Sequence, residues 1–486
     1  LTKPWLTELF PERALTTLES PARPAQLVPP PSALNPQVVA ALGIEAFYSH
    51  QAEAVAAALA GRDIIVTTGT GSGKSLCAVV PMVHRMLEEP AARALMVFPT
   101  KALAQDQATK LADLVHSMGL RVATYDGDTP QSQRSAIRKA AHIVVTNPDM
   151  LHVGILPKHE LWATFLKRLR VVVLDELHVY RGLFGAHSAG VFHRMLRLAA
   201  WAGAKPQVFA LSATLGSPTE TLEALVSRNA QIVSEDGSPR GPQIQTFVSP
   251  PSEDVKSPGP NIETARLTQA IVEQGDRVVA FCRSRVGVEL VLRELRSHLA
   301  DHTLVEAYRG GYTPEERRDI ERKMHSGQLA AIVATNALEL GVDIGGLDSV
   351  VMNGYPGSVT SFWQQAGRAG RAGRTGHTYM IAHEDPAEAA VAIDPLKYLG
   401  RGFDAAGPAV HNVSVAKSQL TCAAYERALG PQEVPPFGPA SQAGIDQLLD
   451  EGTLVPSAGR LFYPSHTPPA NGVSLRSSMG GVVELL

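Results

Sequence analysis

Three short runs hold the residues whose types and spacing can do chemistry. The first, Thr68-Gly69-Thr70-Gly71-Ser72-Gly73-Lys74-Ser75, follows a strand-like segment at 63–67 and precedes an amphipathic segment at 76–87. In that strand, loop and helix setting the glycines let backbone N–H groups turn inward around a phosphate chain, and the helix N-terminus adds its positive dipole end. Lys74 can reach the β- and γ-phosphates and Ser75 can ligate Mg²⁺, with Thr70, Gly71, Ser72 and Gly73 as further nucleotide contacts. The second run, Asp175-Glu176-Leu177-His178, ends the wholly apolar Val171-Val172-Val173-Leu174, the pattern of a strand buried on both faces of a parallel sheet. In a doubly wound sheet the tip of such a strand faces the phosphate loop. Asp175 can then hold Mg²⁺ through water while Glu176 positions and deprotonates an attacking water. The third run is Gln364-Gln365-Ala366-Gly367-Arg368-Ala369-Gly370-Arg371. Arg368 and Arg371, three apart, can share a helical face, and planar guanidiniums suit the charge that spreads over a transferring phosphoryl group. The competing reading is a surface basic patch continuing to Arg374.

These runs need elements to position them, and 486 residues are too many for one core: length alone suggests about three domains. Strand-like runs at 63–67, 94–98, 122–125, 142–146, 171–174 and 208–211 alternate with helical patterns, and the alternation resumes at 277–281, 304–307, 330–334, 349–352 and 377–381. That rhythm predicts two parallel α/β domains in tandem. Proline clusters at 21–36 and 239–260 read as linkers. The expected boundaries are an N-terminal arm at 1–31, a first α/β domain at 32–235, a linker at 236–261, a second α/β domain at 262–398, and a small winged-helix-like region at 399–486. Because the phosphate loop lies in the first α/β domain and the arginines in the second, ATP is expected between them, so that hydrolysis moves them.

Composition narrows the class. Forty-four Lys+Arg against 47 Asp+Glu leave a net charge of −3, so nucleic-acid binding has to come from a local groove rather than from bulk charge. No apolar run is long enough to span a bilayer, and residues 1–10 lack the pattern of a secretory signal. The three cysteines, Cys77, Cys282 and Cys422, are far apart, so neither a disulfide framework nor a zinc cluster is expected, and a reducing cytoplasm is. A first residue that is Leu and a strand-like 481–486 at the other end suggest a piece of a longer protein.

With Ser212-Ala213-Thr214 and the run 334–343, the phosphate loop, the DELH run and the arginine run resemble motifs I, II, III, V and VI of superfamily-two helicases. Finer matches lie at 48–51, 99–107, 125–128, 146–152, 180–182, 281–285 and 308–312. Together they resemble the bacterial RecQ-four-like branch of the DExH DNA helicases. Loops of this class commonly open with Ala or Thr where Thr68 stands. The resemblance implies two RecA-like domains and an ATP- and Mg²⁺-dependent motor that moves 3′→5′ on single-stranded DNA, opens tailed duplex DNA, and serves DNA repair. The family usually carries a C-terminal four-cysteine zinc module; this chain has no such cluster, so it either ends before the module or has lost it.

By the same resemblance Gln51 reads the adenine edge, with Phe47 or Tyr48 stacking nearby, unless it is an ordinary exposed helical Gln. His178 couples the nucleotide site to the nucleic-acid track through Gln364, or is structural. Thr100, Lys101, Thr146, Asn147, Arg309 and Thr335 match positions that contact the nucleic-acid backbone, and their hydroxyls, amides and cations suit phosphate oxygens without regard to sequence. Thr100 and Thr146 read equally as helix caps. Tyr180 and Phe184 resemble an aromatic loop that senses a stacked base, or else pack into the core, as Trp363 is expected to do. Two other functions fit the same motifs: an RNA helicase of the DExH group, and a scaffold that binds ATP and nucleic acid without hydrolysis. The second should show a damaged loop, acid pair or arginine, and none is damaged here.

Overall fold

Aliphatic and β-branched runs that alternate with helices build two seven-stranded sheets here, and two short two-stranded sheets accompany them among the described residues. The computed structural model describes residues 3–213, 215–252, 257–339, 346–370, 373–400, 402–403 and 407–476. Contacts divide the chain into two compact units. Unit 1 takes Leu1–Gln26, Gly69–Ser72 and Asp236–Asp404, and unit 2 takes Leu27–Thr68, Gly73–Glu235 and Ala405–Leu486.

In chain order the strands are β1 (Leu15–Ser20), β2 (Leu27–Val28), β3 (Phe47–Tyr48), β4 (Ile64–Thr67), β5 (Arg93–Val97), β6 (Val122–Thr124), β7 (Ile143–Thr146), β8 (Leu169–Leu174) and β9 (Gln207–Ser212). They continue with β10 (Gln231–Val233), β11 (Gln243–Val248), β12 (Val278–Cys282), β13 (Val305–Tyr308), β14 (Ala331–Ala334), β15 (Ser349–Asn353), β16 (Gly376–Ile381), β17 (Val455–Ser457) and β18 (Arg460–Phe462). The large sheet of unit 2 runs β10-β4-β9-β8-β5-β7-β6, and its pairings are parallel. Successive side chains point to opposite faces of a strand. Accordingly Ile64 and Val66 pack with Cys77, Ala78 and Val80, whereas Ile65 packs with Val191, Phe192 and Met195. The sheet of unit 1 runs β1-β11-β16-β15-β12-β14-β13 and is parallel except at β1. The two-sheet α/β architecture expected from the sequence is therefore present.

Two segments differ from expectation. Within residues 1–31, expected as an arm, β1 lies antiparallel along β11 and so extends the sheet of unit 1. Arg13 pins this segment: its Nη1 donates to Glu263 Oε1 at 2.8 Å, with both side chains buried. Within residues 236–261, expected as a linker, β11 is an interior strand between β1 and β16. Prolines on both sides, Pro239, Pro242, Pro250 and Pro251, punctuate the chain, but Ile244, Thr246, Phe247 and Val248 between them are strand formers.

The C-terminal region holds the helices Val413–Glu426 and Ser441–Asp450 and then the antiparallel hairpin β17–β18. It is docked on the 20-residue helix Gly182–Trp201, which is buried through most of its length. Gly190 permits the approach, since a Cβ there would lie 2.4 Å from Cγ of Gln419. A polar network is sealed inside. Arg194, fully buried, forms an ion pair with Glu426 and donates from Nη1 to Gln419 Oε1 at 2.9 Å and to His152 Nδ1 at 2.7 Å. Burial and the neighbouring Arg194 push the His152 pKa down to about 3, so its neutral ring accepts at Nδ1 and donates from Nε2 to the Val473 carbonyl at 3.2 Å.

Removing one partner from a fully buried pair leaves an uncompensated charge, a cost of about 3–5 kcal/mol. Glu426→Ala should therefore lower the urea midpoint of unfolding sharply, while the double replacement Arg194→Leu with Glu426→Leu recovers much of the loss. A single variant as stable as the parent would contradict the role given to this pair.

Candidate functional site

Parallel pairing places the C-terminal tips of unit 2's strands along one edge. Thr67 of β4 pairs with Ser212 of β9, Leu174 of β8 pairs with Ala210 of β9 and Val97 of β5, and Val97 pairs with Thr146 of β7. The phosphate loop, Ser212, the DELH run, the 98–101 loop and the 146–149 loop thus leave neighbouring strands in that order, at a spacing of about 4.8 Å per strand.

The loop after β4 needs its glycines. Gly71 and Gly73 both have φ of 78°, a left-handed conformation that side chains resist, and Gly73 caps the helix Lys74–Glu88. Gln51 braces this turn. Its Nε2 donates to the Gly73 carbonyl at 3.1 Å and its Oε1 accepts from the Tyr48 N–H at 3.1 Å. A Cβ at Gly73 would come within 2.6 Å of that Nε2. The side chain expected to read adenine is thus buried and bonded to the loop itself, and Phe47, one of the two expected stacking rings, is wholly buried in the core. Tyr48 is partly exposed and stacks on His50. Thr70 and Lys74 are partly exposed, Gly71, Gly73 and Ser75 are exposed, and Ser72 is buried.

The acid pair is strained and desolvated. Glu176 holds φ 52° and ψ 52°, a left-handed backbone uncommon for a residue with a side chain and costing on the order of 1–3 kcal/mol. That kink turns the chain sharply after β8, and Asp175 Oδ1 accepts from the Glu176 N–H at 2.8 Å. Burial and then the Glu176 carboxylate push the Asp175 pKa up to about 7, with Lys74 pulling the other way. A buried carboxylate held beside another carboxylate is a site that a cation would stabilise.

His178 lies behind the acids, with Nδ1 3.5 Å from Glu176 Oε2 and 3.2 Å from Ser212 Oγ. Its backbone N–H also donates to Ser212 Oγ at 3.2 Å. Ser212 therefore ties the tip of β9 to the DELH run, a link that neither segment displays in isolation. Burial pushes the His178 pKa down to about 4, with Lys74 and Arg181 adding to the effect and Glu176 opposing it.

In unit 1, Arg368 is buried and its Nη2 donates to the Glu339 carbonyl at 2.8 Å, while Gln365 Nε2 donates to Glu339 Oε2 at 3.3 Å. The arginine run and the 334–339 run are thus joined. Gln364 is buried, and Trp363 is half-buried against Phe362. Arg371, Thr214 and residues 340–345 lie outside the described residues.

The six expected backbone-contact residues separate into two groups. Thr146 is fully buried and its hydroxyl donates to the Tyr125 carbonyl at 2.7 Å, so it fixes a loop instead of facing a strand. Asn147 is buried, and its Oδ1 accepts from the Met150 N–H at 2.8 Å as a helix cap. Thr100 and Thr335 also accept from backbone N–H groups two or three residues on, both at 3.4 Å. Lys101 and Arg309 present partly exposed cations: Lys101 pairs with Asp128, and Arg309 pairs with Glu289 at 2.8 Å and lies over the Tyr312 ring. Tyr180 is a core residue stacked on Phe184, which is only partly buried.

Two family models match the chain, DEAD/DEAH box helicase over residues 48–222 and Helicase conserved C-terminal domain over residues 263–373. The chain is 38% identical over 481 residues to the uncharacterized ATP-dependent helicase YprA of Bacillus subtilis, covering 96% of this chain and 64% of YprA. It is 38% identical to the ATP-dependent helicase HRQ1 of Saccharomyces cerevisiae, over 81% of this chain and 38% of HRQ1. The crystal structure of the DUF1998 helicase MrfA bound to DNA and AMPPNP superposes with a TM-score of 0.90 at 37% identity, over 97% of this chain and 68% of MrfA. This chain thus spans about two thirds, or less, of each relative.

An unfolded histidine takes up its proton near pH 6.5, whereas His178 stays neutral down to about 4. The folded state binds fewer protons between those values, so stability present at neutral pH is lost on acidification through that window, at about 1.4 kcal/mol per pH unit for this residue. His193, pushed to about 4, acts in the same direction. Denaturation midpoints measured near pH 7 and near pH 5 should fall on acidification, and fall less in His178→Gln; midpoints independent of pH would contradict the buried neutral state.

Proposed function

Because this chain belongs to the DEAD/DEAH box helicase family that includes MrfA, YprA and HRQ1, we propose that it is an ATP-dependent DNA helicase or translocase that moves 3′→5′ on single-stranded DNA. One observation carries this reading. The same sheet edge in unit 2 bears a glycine-turned phosphate loop, a strained acid pair and, on the adjoining strands, loops of the kind that meet a nucleic-acid backbone. DNA repair is the process such a motor would serve.

The loop 68–75 would hold the phosphates of ATP through its backbone N–H groups, with Lys74 at the β- and γ-phosphates. Ser75 and Asp175 would hold Mg²⁺, which when bound neutralises charge on those phosphates. Glu176 would orient and deprotonate the attacking water, its backbone kink fixing where the carboxylate points. Arg368 and Arg371 would stabilise charge on the transferring phosphoryl group, and His178 with Ser212 would report that chemistry to the neighbouring loops. Gln51 would serve the nucleotide through the loop it braces. Lys101 and Arg309 would meet backbone phosphates directly, while Thr100, Thr146, Asn147 and Thr335 shape the loops that meet them.

ATP turnover without nucleic acid, with single-stranded DNA and with single-stranded RNA tests the reading. DNA should stimulate turnover strongly; greater stimulation by RNA would favour an RNA helicase, and no stimulation by either would favour a scaffold. Lys74→Ala should abolish turnover while single-stranded DNA binding persists, and Glu176→Gln should bind ATP yet stall. Arg368→Ala should lower turnover on the order of 10³-fold. Normal turnover in Lys74→Ala would remove the assigned site.

A further inference from the structure

Glu388 stands in the first turn of the helix Pro386–Ile393, where an acidic side chain ordinarily stays in solvent and meets the helix dipole. Here it turns inward and is only 4% exposed. Its Oε2 accepts from the His383 N–H at 2.9 Å and from the Tyr355 N–H at 3.2 Å, and its Oε1 forms an ion pair with Arg283. Those three partners follow the C-terminal tips of β16, β15 and β12, so one carboxylate staples three neighbouring strand ends. A second tie lies beside it: Asn353 Oδ1 accepts from His383 Nε2 at 2.7 Å, and Asn353 Nδ2 donates to Asn261 Oδ1 at 2.7 Å. Gly354, with φ of 88°, makes room for both, since a Cβ there would lie 2.6 Å from Arg283 Nη2 and 3.0 Å from His383 Nε2.

Within unit 1 this staple stands between two parts of the proposed machinery. On one side, Tyr355 opens the short loop that enters the helix Val359–Ala366, which carries Gln364 and Gln365 and leads to Arg368. The far end of that helix is held to Glu339 through Gln365 and Arg368. On the other side, β12 pairs with β14 and β14 with β13, so the tip that bears Arg283 is followed along the edge by Thr335 and then Arg309. Arg285 reaches the tip of β13, where a Cβ at Gly310 would lie 3.3 Å from its Nη2. Stability alone is a poor reason for such a group: a buried carboxylate gives up its hydration, and the ion pair that compensates it is open to water at Arg283, which is 48% exposed. What the carboxylate supplies is a fixed geometry between the loop entering the arginine-bearing helix and the edge that bears Thr335 and Arg309.

We propose that Glu388 is a positioning residue that couples DNA binding to ATP turnover, by making a shift of the strand tips beside Thr335 and Arg309 a shift of the helix that leads to Arg368. Glu388 itself touches neither ATP nor DNA and lies in none of the sequence runs that carry the chemistry. The proposal rests on the reading of this chain as a DNA-dependent motor, and it places the coupling in a packed, hydrogen-bonded link between two elements of one sheet edge.

The test is ATP turnover of the full chain without nucleic acid and with saturating oligo-dT, together with oligo-dT affinity by fluorescence anisotropy. In Glu388→Ala the unstimulated turnover, the KM for ATP and the oligo-dT affinity should stay near those of the parent, while stimulation by oligo-dT falls about tenfold, within the range by which residues remote from both ligands change coupling. Glu388→Asp, which withdraws the carboxylate by one methylene, should lose stimulation in the same way and serves where Glu388→Ala does not fold. Glu388→Gln should retain most of the stimulation, because its amide oxygen still accepts from the Tyr355 and His383 N–H groups. Parent-level stimulation in Glu388→Ala, or in Glu388→Asp where the former does not fold, overturns the proposal. An equal fall in unstimulated and stimulated turnover also overturns it, since Glu388 then supports only the fold. Absence of stimulation in the parent chain would instead overturn the DNA-motor reading, and this proposal with it.

Discussion

Parallel strand pairing in unit 2 is the constraint on which the rest of this account depends. Because β4, β9, β8, β5 and β7 run the same way and stand side by side, chemistry encoded far apart in the chain emerges along one edge. Ligands of open α/β sheets bind at that edge for this reason. β4 carries the phosphate loop, β8 the acids, and β9 between them carries Ser212, which bonds to His178. The next strands carry the 98–101 and 146–149 loops. A change at the acids needs to travel only about one or two strand spacings, roughly 5–10 Å, to reach a loop suited to DNA.

Local conformations serve that edge. Gly71 and Gly73 supply left-handed turns that let the loop close on phosphates, and Gln51 clamps the Gly73 carbonyl from an adjacent helix. Glu176 adopts a left-handed backbone without being glycine, the kind of strain that persists where surrounding structure over-determines it and that clusters at active sites. Behind the sheet, the helix Gly182–Trp201 follows directly from the DELH run and is sandwiched between the sheet and the C-terminal helices. The buried Arg194 network and the Arg476 contacts with Pro99 and Asp149 are among the bonds that tie that C-terminal region to the rest of unit 2, the first in the core and the second at the sheet edge. The C-terminal region is therefore built into the side of unit 2 that bears the functional loops.

Much of this was legible in the sequence, for a physical reason. Strands buried on both faces read as continuous apolar runs, so 171–174 and 330–334 were plain, and motif residues at their tips followed. β1 and β11 were not legible: Leu-Thr-Thr-Leu-Glu-Ser and Gln-Ile-Gln-Thr-Phe-Val mix polar and apolar residues, and prolines flank the second. Residue type also says little about direction. Thr146 has the hydroxyl that a phosphate contact needs, but it points inward to the Tyr125 carbonyl, and Gln51 has an adenine-reading amide already bonded to the loop. Arg476 carried no signal at all, because its partners are brought to it only by the fold.

The central claim is that this edge drives directional movement along a DNA strand, and strand polarity tests it most directly. Unwinding of a duplex with a 3′ single-stranded tail should be compared with that of the same duplex carrying a 5′ tail, in the presence of ATP and Mg²⁺ and at fixed low salt. The account predicts that the 3′-tailed substrate is opened and the 5′-tailed one is not. Opening of the 5′-tailed duplex alone would contradict it.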